Sequence, residues 1–332
     1  MTGTTVAQDT RVPVEVADDV VAVLNGAGRL GRANSTILLD GRDAVVIDTM
    51  LTTGMAASIT AEVARRGATT RLVVNTHNHL DHLGGNPAFP DTEILAHPTT
   101  GRIVALMAAE PRFLPGMLAH FGVDAEGFTL TGPTTTDLDH AALPDGARIR
   151  AFLGAHSPAD LTVWLPDSRV LVTGDLCSHG VTPLARHGNL AGWAAALDEL
   201  SALDPTVVVP GHGPVATADA LHACRDYLRA VRAAAADLAA AHPDAVRGLV
   251  GTLEGRPDPA AAALLADAAD RLDAGPVAGW AEPERTRINL VVGVAEVTGT
   301  PLSLKPVAGP HPGGPAAREG AGTPAREEVR GG

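Results

Sequence analysis

His77-Asn78-His79-Leu80-Asp81-His82 is the stretch that decides how this chain is read. Three imidazoles and a carboxylate within one short segment form a donor set for metal ions, a pattern rarely met by chance. Just upstream, Arg71-Leu72-Val73-Val74-Asn75 is apolar and rich in β-branched residues, the pattern of a buried strand. Thr76 then opens a loop, and Gly84-Gly85-Asn86-Pro87 supplies turn and breaker residues beyond. The cluster is therefore expected on a loop at the end of a strand. A continuous strand would send His79 and His82 to opposite faces, whereas a loop lets side chains two and three apart converge on a pair of ions.

Three separated positions share this local grammar. His156 follows the strand-like Ile149-Arg150-Ala151-Phe152-Leu153, Asp175 ends the run Arg169-Val170-Leu171-Val172-Thr173-Gly174, and His212 stands between Gly211 and Gly213 after Val207-Val208-Val209-Pro210. In each case a strand delivers the donor and small residues let the backbone bend toward an ion.

With these motifs in this order, the chain resembles the metallo-β-lactamase superfamily, specifically its glyoxalase II-like dinuclear hydrolases, over roughly residues 14 to 235. The resemblance implies an α/β fold, a four-layer αββα sandwich with a helical C-terminal elaboration. It implies a first metal held by His77, His79 and His156, a second held by Asp81, His82 and His212, and Asp175 bridging the two. It also implies that Asp48, after the strand Ala44-Val45-Val46-Ile47, supports the ligand loop without binding metal. Imidazole and carboxylate donors suit two Zn2+ ions per chain, with iron or manganese as alternatives. The charge of two divalent ions exceeds that of Asp81, Asp175 and a bridging hydroxide, so the centre would keep a positive charge. It would acidify the bridging water and stabilise an oxyanion, with Asp81 as the catalytic residue that orients the hydroxide and handles its proton. The aspartate at 175 resembles glyoxalase II, lactonases, thioesterases and phosphodiesterases, whereas true β-lactamases of this fold place cysteine or serine there. Cys177 is read as a small, half-buried neighbour of the site.

Composition narrows the partners. A net charge of −13 with 3% aromatic residues offers neither the basic surface nor the stacking platforms of a nucleic-acid binder. Two cysteines make no disulfide framework, the first residues carry no basic-then-apolar leader, and no apolar run approaches the length of a membrane span. A cytoplasmic protein acting on a small-molecule acyl substrate, without nucleic-acid or membrane partners, is expected.

The expected organisation is a flexible N-terminus at 1–13, a catalytic domain at 14–240, a helical extension packed on it at 241–299, and a disordered tail at 300–332. Residues 99–128, apolar and broken by prolines, read either as core packing of two short helices or as a lid over an acyl group. Helical patterns run over 192–203 and 218–241, and Pro283-Glu284-Arg285 resembles a helix start. His179, close after Asp175, is a candidate substrate contact; His97, His120, His140, His187, His222, His242 and His311 have no spacing that recruits them. Asp160 reads as a turn cap beside His156.

Two function classes follow. The first is a dinuclear zinc hydrolase acting on a thioester, ester or lactone. The second is a non-hydrolytic metalloenzyme of the same fold, either a biosynthetic cyclase or lyase or a mononuclear iron sulfur dioxygenase. A β-lactamase is disfavoured by Asp175.

Overall fold

Strands that are apolar on both faces need a layer packed on each side, and the chain supplies four. The computed structural model describes residues 11–110, 113–253, 258–273, 275 and 277–302; the expected N-terminal segment up to residue 10 and the tail from 303 lie outside them. In chain order, β1 (Arg11–Ala17), β2 (Val20–Asn25), β3 (Ser35–Asp40) and β4 (Asp43–Ile47) form an antiparallel meander. Helix α1 (Thr53–Arg65) crosses to β5 (Thr69–Val74), which runs parallel to β4. After the short helix α2 (Leu80–Leu83), β6 (Glu93–Leu95) adds a further parallel edge to complete a six-stranded sheet in sequence order. Pairing of β1 begins at Arg11, opposite Asn25, earlier than the boundary at residue 14 read from the sequence.

Helices α3 (Pro98–Ala109) and α4 (Phe113–His120) follow, then a second sheet of β7 (Arg148–Leu153), β8 (Ala159–Leu165), β9 (Val170–Ser178) and β10 (Val207–His212) in the order β10-β9-β8-β7. Helix α5 (Leu190–Ser201) is the crossover between the parallel β9 and β10. Helices α6 (Ala218–Ala241), α7 (Val246–Leu253), α8 (Pro259–Asp273) and α9 (Arg285–Thr298) end the chain. None of the described helices is long and apolar enough to cross a membrane.

The two-residue period of the strands sorts the core into layers. Val20, Ala22, Val45, Ile47, Leu72 and Val74 face the second sheet and meet Leu161, Val163, Val170, Val172 and Val209 there. The alternate residues Val21, Val23, Ala44, Val46 and Val73 face outward onto Ile59 and Val63 of α1. On the far side, α5, α6, α8 and α9 cover the second sheet with Trp193, Leu197, Leu221, Leu228, Val231, Leu265 and Leu290. The fold is therefore α/β with two sheets between helical layers. Its C-terminal helices are continuous with this outer core, and Tyr227, Thr286, Asn289 and Asp273 link α6, α8 and α9 through hydrogen bonds of 2.7–3.0 Å.

Two local readings are corrected. The donor stretch is not all loop: His79 is the N-cap of α2, so Asp81 and His82 ride on a helical turn. Asp175 does not end its strand. β9 continues to Ser178, and a register irregularity opposite Pro210, with Gly174 at φ +50°, turns the strand through the glycine without breaking it.

Leu161 is fully buried between the sheets. Leu161→Ala should lower unfolding free energy by about 2–5 kcal/mol, the range for a buried leucine truncation, as measured by denaturant titration.

Candidate metal centre

All the donors lie where strands end or bend at one edge of the sandwich. The structure brings His77, His79, His156 and Asp175 into one group and Asp81, His82 and His212 into a second, each with its donor atoms within 4.8 Å of one another. In the first group, His77 Nε2 and His156 Nε2 each lie 3.0 Å from His79 Nδ1. That spacing approaches the roughly 3.4 Å separating ligands of a tetrahedral ion with bonds of about 2.1 Å. In the second, His212 Nε2 lies 3.4 Å from Asp81 Oδ2. Asp175 divides its oxygens between the two. Oδ2 lies 3.4 Å from His156 Nε2 and 3.9 Å from His77 Nε2, while Oδ1 lies 3.1 Å from His82 Nε2 and 3.4 Å from His212 Nε2.

Backbone geometry makes this placement available. A Cβ on Gly211 would come within 2.0 Å of Asp175 Oδ1, and a Cβ on Gly28 within 2.2 Å of the Gly213 nitrogen. The glycines around His212 thus admit a carboxylate and a second backbone where any side chain would collide.

The outer ring nitrogens are held by protein. His77 Nδ1 lies 3.0 Å from Thr76 Oγ1, whose hydroxyl donates to Asp48 Oδ2 at 2.8 Å; the same oxygen lies 2.7 Å from His82 Nδ1. Asp48 Oδ1 accepts from the Thr76 N–H at 2.8 Å. His212 Nδ1 lies 2.9 Å from Gly28 O, and His79 Nε2 lies 2.9 Å from His187 Nδ1. With these outer nitrogens donating, the inner nitrogens of the four rings present lone pairs to the centre. His156 differs, because its Nδ1 is buried without a hydrogen-bond partner and its ring packs edge-on against Trp193 at 4.8 Å. The turn that carries His156 is pinned by Asp160, which accepts from the Ser157 N–H at 2.9 Å as a turn cap. Burial pushes the Asp160 carboxyl up to about 7.

The donor set passes a physical test for cations. His82 Nε2 and Asp175 Oδ1 are buried with no hydrogen-bond partner, an expensive arrangement unless an ion satisfies both. Burial pushes His77 and His156 well below the ordinary histidine pKa, so they stand ready as neutral ligands. In the second group burial also opposes charge, but Asp175 and Asp48 outweigh it at His82 and raise its pKa well above normal. Asp175 and Asp81 do the same at His212, raising it to about 9. Asp175 itself is held well below the usual carboxylate range, since His212 and His82 overcome the cost of burial.

His187 is the residue the sequence did not reveal. It lies 108 positions from His79 and fits no motif spacing, so only the fold shows their contact. His179 is not among the clustered donors: its backbone N–H donates to His212 O, and its Nδ1 lies 3.2 Å from Pro214 O. Cys177 is fully buried, not half-buried, with its Sγ 3.9 Å from Cys224 Sγ and directed into the helical layer.

Two sheets between helices, with a His/Asp cluster at one edge, define a candidate metal-binding protein of the metallo-β-lactamase type. Residues 28–212 match the family model of the metallo-beta-lactamase superfamily, and the chain belongs to that superfamily. Over 179 residues it is 28% identical to the "Probable metallo-hydrolase YqjP" of Bacillus subtilis (strain 168), a match covering 45% of this chain and 56% of that protein. Among solved structures it resembles a metallo-beta-lactamase from Pontibacter korlensis, with TM-score 0.53, 19% identity, and coverage of 66% of this chain and 99% of the other. It also resembles the DIM-1 metallo-beta-lactamase, with TM-score 0.52, 16% identity, and coverage of 66% and 96%. At these identities the structural likenesses establish the fold.

The protonation pattern predicts how metal uptake depends on pH. A cation entering the second group must displace protons from His82 and His212, so its affinity there should fall steadily as pH drops below about 9. The first group, already deprotonated, should change far less. Calorimetric zinc titrations in buffers of different ionisation enthalpy would count the released protons; equal pH dependence at both groups would contradict the assignment.

Proposed function

We propose that this chain is a dinuclear metal-dependent hydrolase of the glyoxalase II-like branch, cleaving a thioester, ester or lactone of a small acidic substrate. The observation that carries the reading is Asp175, whose two oxygens are directed at separate imidazole groups. His77, His79 and His156 would hold one cation and Asp81, His82 and His212 another, with Asp175 shared and zinc the first choice for such donors. Bound there, two divalent cations would acidify a water and polarise the scissile carbonyl.

The chain's own residues supply the rest. Asp81, buried beside His212 and His82, is kept ionised below the usual carboxylate range even though burial opposes it. In that form it would accept a hydrogen bond from the attacking water and take its proton as the new bond to carbon forms and acidifies that water. Helices α3 and α4 pack Val104, Met107 and Leu118 onto Leu80 and Leu83 of α2. The described residues of 99–128 thus lie against the donor helix, where an apolar lid would exclude water from an acyl group. His179 keeps its Nε2 for a substrate contact.

Arg186 favours an acidic substrate. It is half-buried next to His187, and burial alone lowers its pKa, with no carboxylate among the described residues close enough to offset the cost. In a chain of net charge −13, such a guanidinium is available to an anionic group of the ligand. Asp175 in place of a thiolate, with Cys177 turned away toward Cys224, argues against β-lactam hydrolysis.

The test is a panel of thioesters, lactones, phosphodiesters and β-lactams offered to zinc-loaded and metal-stripped protein. Metal-dependent thioester or lactone hydrolysis with two zinc ions per chain is expected. A single iron with oxygen uptake, or a preference for β-lactams, would overturn the proposal. Asp81→Asn should lower kcat by about 10²–10⁴-fold, the usual contribution of a general base. Arg186→Gln should raise KM about tenfold for a carboxylate-bearing thioester and leave its neutral counterpart nearly unchanged.

A further inference from the structure

Helix α9 lies outside the stretch matched to the superfamily, yet two of its side chains reach the loop that joins β9 to α5 and a third holds the first turn of α5. At 100° per residue, Arg285, Asn289 and Glu296 fall within about 40° of one another around the helix. They form a polar stripe on an element that otherwise buries Leu290, Val291 and Val294.

Each member of the stripe holds backbone of the loop or of the first turn of α5. Arg285 Nη1 donates to Thr182 O at 2.9 Å. Asn289 Nδ2 donates to Pro183 O at 2.7 Å, while its Oδ1 accepts from the Ala185 N–H at 2.8 Å. Glu296 accepts from the N–H groups of Leu190 and Ala191 at 2.7 and 3.3 Å. Just before the helix, Ala281 pairs with Gly180 and Thr182 through backbone hydrogen bonds of 2.9 and 3.0 Å. Between these anchors the loop presents His187, whose Nδ1 lies 2.9 Å from His79 Nε2. Glu282, the residue after Ala281, reaches the other side of the centre, accepting from the Leu30 N–H at 2.9 Å in the segment whose Gly28 O meets His212.

Three buried or largely buried polar side chains stabilise a helix interface no better than apolar ones of equal volume, but they fix what they touch in one arrangement. We propose that α9 is a positioning element of the metal centre, and that Asn289, acting through the 181–190 loop and His187, sets the orientation of His79 and hence the affinity of the first donor group. The inference rests on the metal-binding reading above. Asn289 touches no donor of the centre; it holds the backbone on which His187 is carried.

A double-mutant cycle separates this role from ordinary packing. Zinc affinities of both groups would be measured by chelator competition in the wild type, Asn289→Ala, His187→Ala and the double variant. Asn289→Ala should weaken the first group about tenfold, the usual effect of disturbing a ligand's outer hydrogen-bond partner. It should leave the second group within about twofold and add nothing in the His187→Ala background. Should Asn289→Ala fail to fold, Glu296→Ala against Glu296→Gln carries the same test, because glutamine keeps an acceptor for the loop and should retain the affinity that alanine loses.

Equal weakening of both groups, an undiminished effect without His187, or a lower Tm with unchanged zinc affinity would each overturn the proposal. Zinc binding by a wild type that hydrolyses nothing would remove the proposed reaction and leave this inference standing. Normal hydrolysis with unaltered first-group affinity in Asn289→Ala would do the reverse, and a wild type that binds no zinc would end both.

Discussion

The centre depends on one buried carboxylate being shared. Desolvating a carboxylate costs several kcal/mol unless charge and hydrogen bonds return the energy, and Asp175 meets only imidazoles, two toward each oxygen. Its position follows from backbone rather than side-chain packing. Gly174 bends β9 without ending it, and Gly211 on the neighbouring strand leaves the volume that Oδ1 occupies. A side chain at Gly211 would have to displace the carboxylate or backbone, and one at Gly174 would meet Thr76, so the position of Asp175 and the parallel pairing of β9 with β10 are a single constraint.

Asp48 imposes the complementary constraint from the other sheet. The residue sits at φ +60°, a conformation that costs a non-glycine residue of order 1–3 kcal/mol. In return its carboxylate reaches Thr76 and His82 together. Through Thr76 it sets the outer nitrogen of His77, and directly it sets that of His82, so one side chain fixes a ring in each donor group. The first sheet therefore orients ligands of both groups, while the second sheet supplies the carboxylate between them. Neither sheet holds a centre alone, which places the cluster at their common edge.

This division explains what could be read before folding. Donors advertise themselves locally: each follows an apolar run and borders small residues, and His77 to His82 are nearly contiguous. The strand before the first donors was legible for a similar reason, since Leu72 to Val74 is an unbroken apolar run, whereas the four layers came from the family resemblance. Hydrogen-bond partners carry no such mark. His187 is a histidine in an unremarkable loop, Gly28 contributes only a carbonyl, and Asn289 lies in a helix whose apolar pattern of Leu290, Val291 and Val294 conceals its polar stripe. The local errors have physical causes as well. His82 sits on a helical turn because the chain caps a helix at His79, and Asp175 lies within a strand because a bulge accommodates the glycine that otherwise signals an end.

The same contrast bears on how one fold serves different substrates. The family match stops at His212, the last residue of the two His/Asp groups. The loop carrying Arg186 and His187 falls inside that stretch, yet its conformation is held from outside by Ala281, Arg285, Asn289 and Glu296. An extension that clamps this loop meets the cluster at one point, His79, while His77, His82 and His212 are held by Thr76, Asp48 and Gly28. The His/Asp cluster and the extension are then joined where His187 meets His79.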